Sequence, residues 1–130
     1  MDVTTFFEQY ENAFNQKDVE QLVPYYFLPT ILMNADEKLI FVRAEQIEDF
    51  LHQIIQEATQ SGVERIAVEL KQVMKLAKNI VFCNVEWRYF DKQGDNIMIS
   101  PVSYTLQLKD EGHPQIIAIV RDKEPAFRKS

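Results

Sequence analysis

The chain has 130 residues, 46% of them apolar, which is the size and composition of one compact domain with a hydrophobic core. Its net charge of −6 provides no basic surface for nucleic acid or anionic lipid, and no apolar run is long enough to span a membrane. An acidic N-terminus without a secretory signal pattern, together with a single cysteine, Cys83, favours a cytoplasmic protein without an internal disulfide.

Three helices are predicted in the first half of the chain. Apolar residues at helical spacing indicate an amphipathic helix over residues 2–16, with a strongly aromatic buried face. Asp18 is a typical N-cap for a short second helix, which Pro24 should end or distort. A third helix is predicted over residues 44–61, with Gly62 as its stop.

The predicted strands begin with a short apolar run over residues 27–33, a hairpin turn at 34–37 and a second run at 38–42. The second half then alternates between apolar and polar residues, which predicts long strands at 65–78, 80–91 and 98–108 and a last strand at 115–120. In the first long strand the even-numbered apolar residues are expected on one buried face: Ile66, Val68, Leu70, Met74 and Leu76. Pro101 favours an edge position or a bulge in the third long strand, 98–108.

Helices early and a strand meander late predict an α+β fold, in which about three N-terminal helices pack on one face of a curved, mainly antiparallel sheet. We expect one domain over residues 1–130. Its predicted strands are joined by turns that include 91–95 and 110–114. Residues 121–130 have mixed charge and are expected to form a solvated tail.

Two stretches carry a resemblance to a known family: YENAFNQKDVEQLVPYYF, residues 10–27, and VRAEQIEDFL, residues 42–51. With the predicted element order, they resemble the NTF2-like superfamily, which includes SnoaL-like proteins and ketosteroid isomerases. The resemblance implies a cone-shaped NTF2-like (cystatin-like) fold with a pocket between helices and sheet. It also implies a homodimer formed through the outer face of the sheet.

Ketosteroid isomerase gives the sharpest comparison, because its reaction needs a carboxylate base opposite a tyrosine and a protonated aspartic acid. Tyr10 precedes Asp18 at the spacing of the isomerase's oxyanion tyrosine and a matching aspartate. Counting on from Asp18 without a gap puts Asn34 at the position of the base, and an amide has no basic form at neutral pH. Tyr104 matches the position of the neutral acid.

Three functions remain open from these residues. The first is binding of a small, largely apolar molecule, oriented by Tyr10, Asn34 and Tyr104. The apolar wall of its pocket would come from five residues: Phe6, Phe14, Phe50, Trp87 and Leu106.

The second function is a SnoaL-like isomerase, cyclase or dehydratase in which Asp36 serves as the base, two residues further along the same strand face. It predicts that Asp36→Asn abolishes turnover. The third is a homodimeric interaction module whose pocket is filled by aromatic side chains. The two histidines, His52 and His113, have no partners at metal-binding spacing, and the sequence gives no cofactor motif.

Overall fold

The computed structural model describes residues 2–109 and 113–122, and its helices and strands follow the predicted order. The elements are α1 Val3–Asn15, α2 Val19–Leu22, a 3-10 turn Val23–Tyr25, β1 Tyr26–Met33, β2 Lys38–Phe41, α3 Ala44–Gln60, β3 Arg65–Ala77, β4 Ile80–Phe90, β5 Asn96–Leu108 and β6 Pro114–Arg121. Most of the turn predicted at 110–114, and residues 123–130 of the predicted tail, lie outside the described residues. Arg121, expected to begin that tail, instead ends β6.

The helix boundaries follow from local chemistry. The Asp2 carboxylate accepts a hydrogen bond from the amide of Thr5 at 2.7 Å, and Asp18 caps α2 in the same way with a bond of 3.1 Å. Gly62 has a φ of +88°, a conformation that side chains disfavour, and it follows the C-cap of α3. The predicted cap at Asp18 and the predicted stop at Gly62 are therefore confirmed, and Asp2, predicted as the first residue of the helix, is its N-cap. None of the described helices has the length and apolar character needed to cross a membrane.

The strands form one six-stranded sheet in the order β2-β1-β6-β5-β4-β3. All neighbours are antiparallel except β1 and β6, so the sheet is mixed but mainly antiparallel. The helices pack against one face, which we call the inner face, and bulges in the β3–β4, β4–β5 and β5–β6 pairings bend the sheet. The predicted α+β architecture is confirmed.

The core lies between the inner face and the helices. It is built from one stripe of α1 and α3 and from the inward-facing positions of the strands, chiefly Phe6, Phe7, Tyr10, Ile47, Leu51, Cys83, Val85, Leu106 and Ile116. Burial raises the pKa of the Cys83 thiol to about 11, so this cysteine is an apolar packing residue rather than a nucleophile.

The second half of β3 corrects a sequence prediction. Val68 faces inward, but the pairing of β3 with β4 shifts between Leu70 and Gln72. This bulge reverses the alternation, so that Met74 pairs on the outer face and is 46% exposed; Leu76 is 55% exposed. The prediction that all five apolar residues share one buried face is therefore wrong beyond Leu70.

Pro101 lies at a local edge, as predicted. Strand β5 is inside the sheet, but its pairing with β6 reaches only as far as Val102. Pro101 therefore lies where β5, among the described residues, has no strand neighbour on the β6 side, a position that tolerates proline.

Candidate functional site

A cavity of about 80 Å³ lies between the helices and the inner face of the sheet. Its walls are mainly apolar and come from α1, α3 and five strands, β1, β3, β4, β5 and β6. They include Phe14, Phe50, Ile54, Trp87, Val102 and Ile119. Exposed lining residues mark its opening to solvent: Lys17, Thr59, Glu64 and Arg65. The cavity thus has an apolar body and a polar mouth.

Three phenols and an indole meet at the buried end of this cavity. The hydroxyls of Tyr10 and Tyr26 are hydrogen bonded to each other, and Nε1 of Trp87 donates to the hydroxyl of Tyr104 at 2.9 Å. The rings of Tyr10 and Tyr104 are 6.2 Å apart, centroid to centroid. All four side chains are buried, so their polar atoms are available to each other and to whatever occupies the cavity.

Burial also fixes the protonation of these phenols. It raises the pKa of Tyr10, Tyr26 and Tyr104 well above the ordinary value of a tyrosine, and it raises the pKa of Tyr89 to about 12. Each phenol is therefore protonated at neutral pH. The cluster offers hydrogen bonds but no base that could abstract a proton.

Arg121 extends from the end of β6 into the same cavity. Its guanidinium carbon lies 5.3 Å from the ring centroid of Phe50. Its positive charge partly offsets the effect of burial on the pKa of Tyr26, Tyr89 and Tyr104. The buried Nε of Arg121 has no hydrogen-bond partner, and within the described residues no carboxylate lies within 4.0 Å of its guanidinium.

Side chains of α1 hold the helix against β3 at the cavity wall. Asn15 accepts a hydrogen bond from the amide of Ile66 at 2.8 Å and donates to its carbonyl at 2.9 Å. Glu11 accepts from the amide of Val68 at 2.6 Å. Because β3 is an edge strand, these bonds satisfy backbone groups that no neighbouring strand pairs.

Five of the residues predicted for the pocket line the cavity: Tyr10, Phe14, Phe50, Trp87 and Tyr104. They come from α1, α3, β4 and β5 and converge because each lies at an inward-facing position. Two residues predicted as wall, Phe6 and Leu106, are instead in the closed core, 1% and 0% exposed.

Asn34 and Asp36 do not lie in this cavity. Asn34 follows the last residue of β1, and its Oδ1 accepts hydrogen bonds from the amides of Asp36 and Glu37 at 2.9 and 3.0 Å. Asp36 is exposed in the same turn. The ungapped count from Asp18 therefore ends in a hairpin turn. The expectation that Asn34 converges with Tyr10 and Tyr104 is wrong, because the Asn34 side chain is hydrogen bonded within its own turn.

Three cavity residues were missed as site candidates: Tyr26, Tyr89 and Arg121. The alternation of β4 already put Tyr89 on the inward face. Arg121 follows the buried Ile119 by two residues, so strand alternation would have predicted an inward side chain if the strand had been extended. Tyr26 carried no signal of this kind, because its contact with Tyr10 depends on tertiary packing.

The acidic residues of the described cavity lining are Glu57 and Glu64. Glu64 is exposed at the mouth, and the half-buried Glu57 accepts a hydrogen bond from Gln53 on its own helix at 3.1 Å. No three His, Cys, Asp or Glu side chains come together as a metal site would require, within residues 2–109 and 113–122.

A mainly antiparallel sheet, helices over one face and a cavity enclosed between them define an NTF2-like α+β protein. The family model described as NTF2-like protein (DUF6841) matches residues 1–124. The chain belongs to this family, and the resemblance noted in its sequence is confirmed.

Solved structures share the fold at low sequence identity. A domain of unknown function with a cystatin-like fold from Nostoc punctiforme matches with a TM-score of 0.71 and 18% identity over 94% of this chain and 75% of that one. An NTF2-like protein of unknown function from Shewanella oneidensis has a TM-score of 0.71 and 10% identity over 93% and 96%. A ketosteroid isomerase-like protein from Erwinia carotovora has a TM-score of 0.60 and 17% identity over 95% of each chain. Among curated proteins, none is significantly similar to the chain.

Proposed function

We propose that this protein binds a small, largely apolar molecule in the cavity, through at least one polar group of that molecule. The observation that carries the proposal is the cluster of Tyr10, Tyr26, Tyr104 and Trp87 at the buried end of an otherwise apolar cavity. A few placed polar groups orient a ligand, and burial of its hydrocarbon supplies most of the affinity.

The size of the cavity limits the ligand. At about 80 Å³ it has room for two or three water-sized groups, counting about 30 Å³ for each. Drug-sized ligands occupy pockets of about 300–1,000 Å³. The buried part of the ligand is therefore compact, and any longer substituent extends past the exposed residues of the mouth.

Recognition is supported over proton abstraction by the chemistry of the lining. The buried phenols have raised pKa values, so they donate hydrogen bonds at neutral pH and do not accept protons from carbon. The two positions offered from the isomerase comparison, Asn34 and Asp36, lie in the turn after β1, away from the cavity.

Blocking the cavity tests this proposal. Ala58 lines the cavity near the end of α3, and Ala58→Trp is expected to fill it. Ala44→Trp makes the same change at an exposed position at the start of the same helix and is the matched control. Binding of isopropanol, butanone, propionate and butyrate, whose size suits a cavity of about 80 Å³, is measured by chemical-shift titration of the labelled protein.

At least one of these compounds is expected to bind saturably to the wild type and to Ala44→Trp, and to lose binding in a folded Ala58→Trp. Native mass spectrometry of protein purified without denaturing steps provides a second measurement, because a retained ligand adds a discrete mass. A protein that binds no compound of the panel and carries no added mass would contradict the proposal.

A second candidate function is homodimerisation through the outer face, and the exposure of apolar side chains there favours it. Met74, Ile99 and Val120 all lie on this face and are 46%, 49% and 42% exposed. Exposed apolar groups of this kind mark association surfaces when they share one face. Between them the outer face has a paired polar centre, in which Arg88 contacts Glu69 at 2.9 Å.

Charges introduced on this face test the dimer. The double variant Met74→Glu and Ile99→Glu is expected to convert a dimer to a monomer in sedimentation equilibrium, because two carboxylates per chain would be buried without partners. Val42→Glu, at an exposed residue between β2 and α3, is the control and is expected to remain dimeric. A monomeric wild type, or a double variant that still dimerises, would rule out this interface.

A further inference from the structure

We propose that the molecule bound in the cavity is a small organic monocarboxylate, and that Arg121 binds its carboxylate group. This inference rests on the proposed function, since it names the class of ligand for the same cavity. It is carried by an arginine that enters the cavity and has no carboxylate partner among the described residues.

The first observation is an unsatisfied donor. Among the described residues, the Nε of Arg121 is buried and has no hydrogen-bond partner. The Nε of Arg88 shares this property, but the Arg88 guanidinium contacts two carboxylates through its other nitrogens. Most buried polar atoms in proteins are hydrogen bonded, and an orphaned donor that belongs to a charged group is especially costly. Arg121 also lines the cavity, so an acceptor bound there is placed to satisfy this donor.

The second observation is the contrast with Arg88 and Arg43. Arg88 contacts Glu69 and Glu86 on the outer face at 2.9 and 3.4 Å, and the exposed Arg43 lies 3.9 Å from Glu45. Arg121 has no such carboxylate among the described residues. Arg65 also has no carboxylate within 4.0 Å among the described residues, but it is exposed at the mouth and lies 4.2 Å from the ring centroid of Phe90.

The charge balance of the cavity differs from that of the whole protein. Its lining has three basic side chains and two acidic ones, a net charge of +1, whereas the chain carries −6. The basic residues are Lys17, Arg65 and Arg121, and the acidic ones are Glu57 and Glu64. Since Lys17, Arg65 and Glu64 are exposed at the mouth, Arg121 is the charge that reaches the phenols, where it lowers the pKa of Tyr26 and Tyr104 against the effect of burial.

The surroundings of Arg121 fit a carboxylate on an apolar body. A guanidinium is a planar fork of donors that matches the two oxygens of a carboxylate, and the ring of Phe50 lies 5.3 Å from its central carbon. Phenols nearby can donate to the same oxygens, and the apolar walls can contact the hydrocarbon. A single arginine and a volume of about 80 Å³ favour one negative charge rather than a di-anion.

Matched pairs of acid and amide test the inference. Affinities of propionate and propionamide, and of butyrate and butyramide, are measured by chemical-shift titration at neutral pH. Three proteins are compared: wild type, Arg121→Gln, and the control Arg43→Gln, which removes an exposed arginine away from the cavity. For the wild type, the acids are expected to bind on the order of tenfold more tightly than their amides.

Arg121→Gln is expected to weaken binding of the acids by about 10- to 100-fold and to leave the amides nearly unchanged, because a charged hydrogen bond is lost only with the acids. Arg43→Gln is expected to behave as the wild type. Arg121→Lys keeps the charge without the fork, so it should weaken the acids less than Arg121→Gln does. This variant keeps the test informative if Arg121→Gln fails to fold.

The possible failures are distinguishable. If the wild type binds amides as well as acids, or a folded Arg121 variant without the charge keeps the preference for acids, the anion inference is overturned while the proposed function stands. If neither acids nor neutral compounds bind the wild type, the proposed function fails and the inference fails with it.

Discussion

Replacing Tyr10 with alanine is expected to lower the free energy of unfolding by about 3–5 kcal/mol, the range for removing a large buried aromatic side chain. Tyr10 is 1% exposed and lies among rings from α1, the 3-10 turn and three strands. Its ring centroid is 5.0 Å from that of Phe14, 5.9 Å from Trp87 and 6.2 Å from Tyr104. The substitution would leave a gap where the Tyr10 ring was, and the neighbouring elements could fill it only by breaking contacts elsewhere. Guanidinium unfolding followed by circular dichroism measures the change.

Tyr10→Phe is the matched control for this prediction. It keeps the ring but removes the hydroxyl that pairs with Tyr26, so it leaves a buried phenol unsatisfied and is expected to cost about 1–3 kcal/mol. The difference between the two variants isolates the packing of the ring. A loss below about 1 kcal/mol for Tyr10→Ala would mean that the aromatic cluster repacks freely, and the cavity described above would not be a fixed feature.

Most of the fold could be predicted because local signals agreed with one another. Asp2 and Asp18 are N-caps at the predicted helix starts, and Gly62 has the positive φ that suits the predicted stop. The turn at Asn34 followed from side-chain chemistry that residues in turns favour.

The bulge in β3 could not be placed from alternation alone. A period of two predicts one face for a whole strand, and one extra residue reverses that face for everything beyond it. Gln72 interrupts the series of even-numbered apolar residues where the face reverses. A regular strand in which Gln72 simply faced inward would show the same sequence pattern as a strand with a bulge. The distinction needs the pairing partner on β4.

The cavity was predicted in part, for a related reason. Tyr10, Trp87 and Tyr104 lie on apolar stripes that had to face the core, so their convergence followed from the fold. The hydrogen bonds between Tyr10 and Tyr26, and between Trp87 and Tyr104, join residues 16 and 17 positions apart and depend on how α1 packs against the sheet. Spacing along the chain does not encode them.

Family membership alone does not determine what the cavity does, because one fold supports many functions. In this chain the cavity has a protonated phenol cluster and Arg121, which together offer donors and positive charge. An isomerase of the kind that the sequence resembles needs a carboxylate base facing such a cluster. The described lining has its carboxylates at Glu57 and Glu64, at or near the mouth, which suits recognition of an anion within the cavity better than removal of a proton.

The same phenols should make the protein sensitive to alkali. Burial raises the folded-state pKa of all five tyrosines above the value near 10 of an unfolded chain, and it does so most strongly for four of them: Tyr10, Tyr26, Tyr89 and Tyr104. The folded state therefore holds these protons more tightly than the unfolded state does. Their contribution to stability is complete below about pH 10 and is lost as the pH rises through the folded-state values.

We therefore expect unfolding at high pH to coincide with ionisation of the buried tyrosines. In a titration that records phenolate absorbance and circular dichroism together, Tyr25, which is only half-buried, should ionise first while the fold is intact. The other four should ionise together as the dichroism is lost, because an isolated buried phenolate cannot form without unfolding.

Tyr25→Phe is the control and should remove the early step alone. Reversible ionisation of more than one tyrosine with unchanged dichroism below pH 12, the region to which burial raises the pKa of Tyr89, would show that water reaches the phenol cluster. The buried end of the cavity would then be a hydrated site, and the donors assigned to ligand recognition would already be bonded to water.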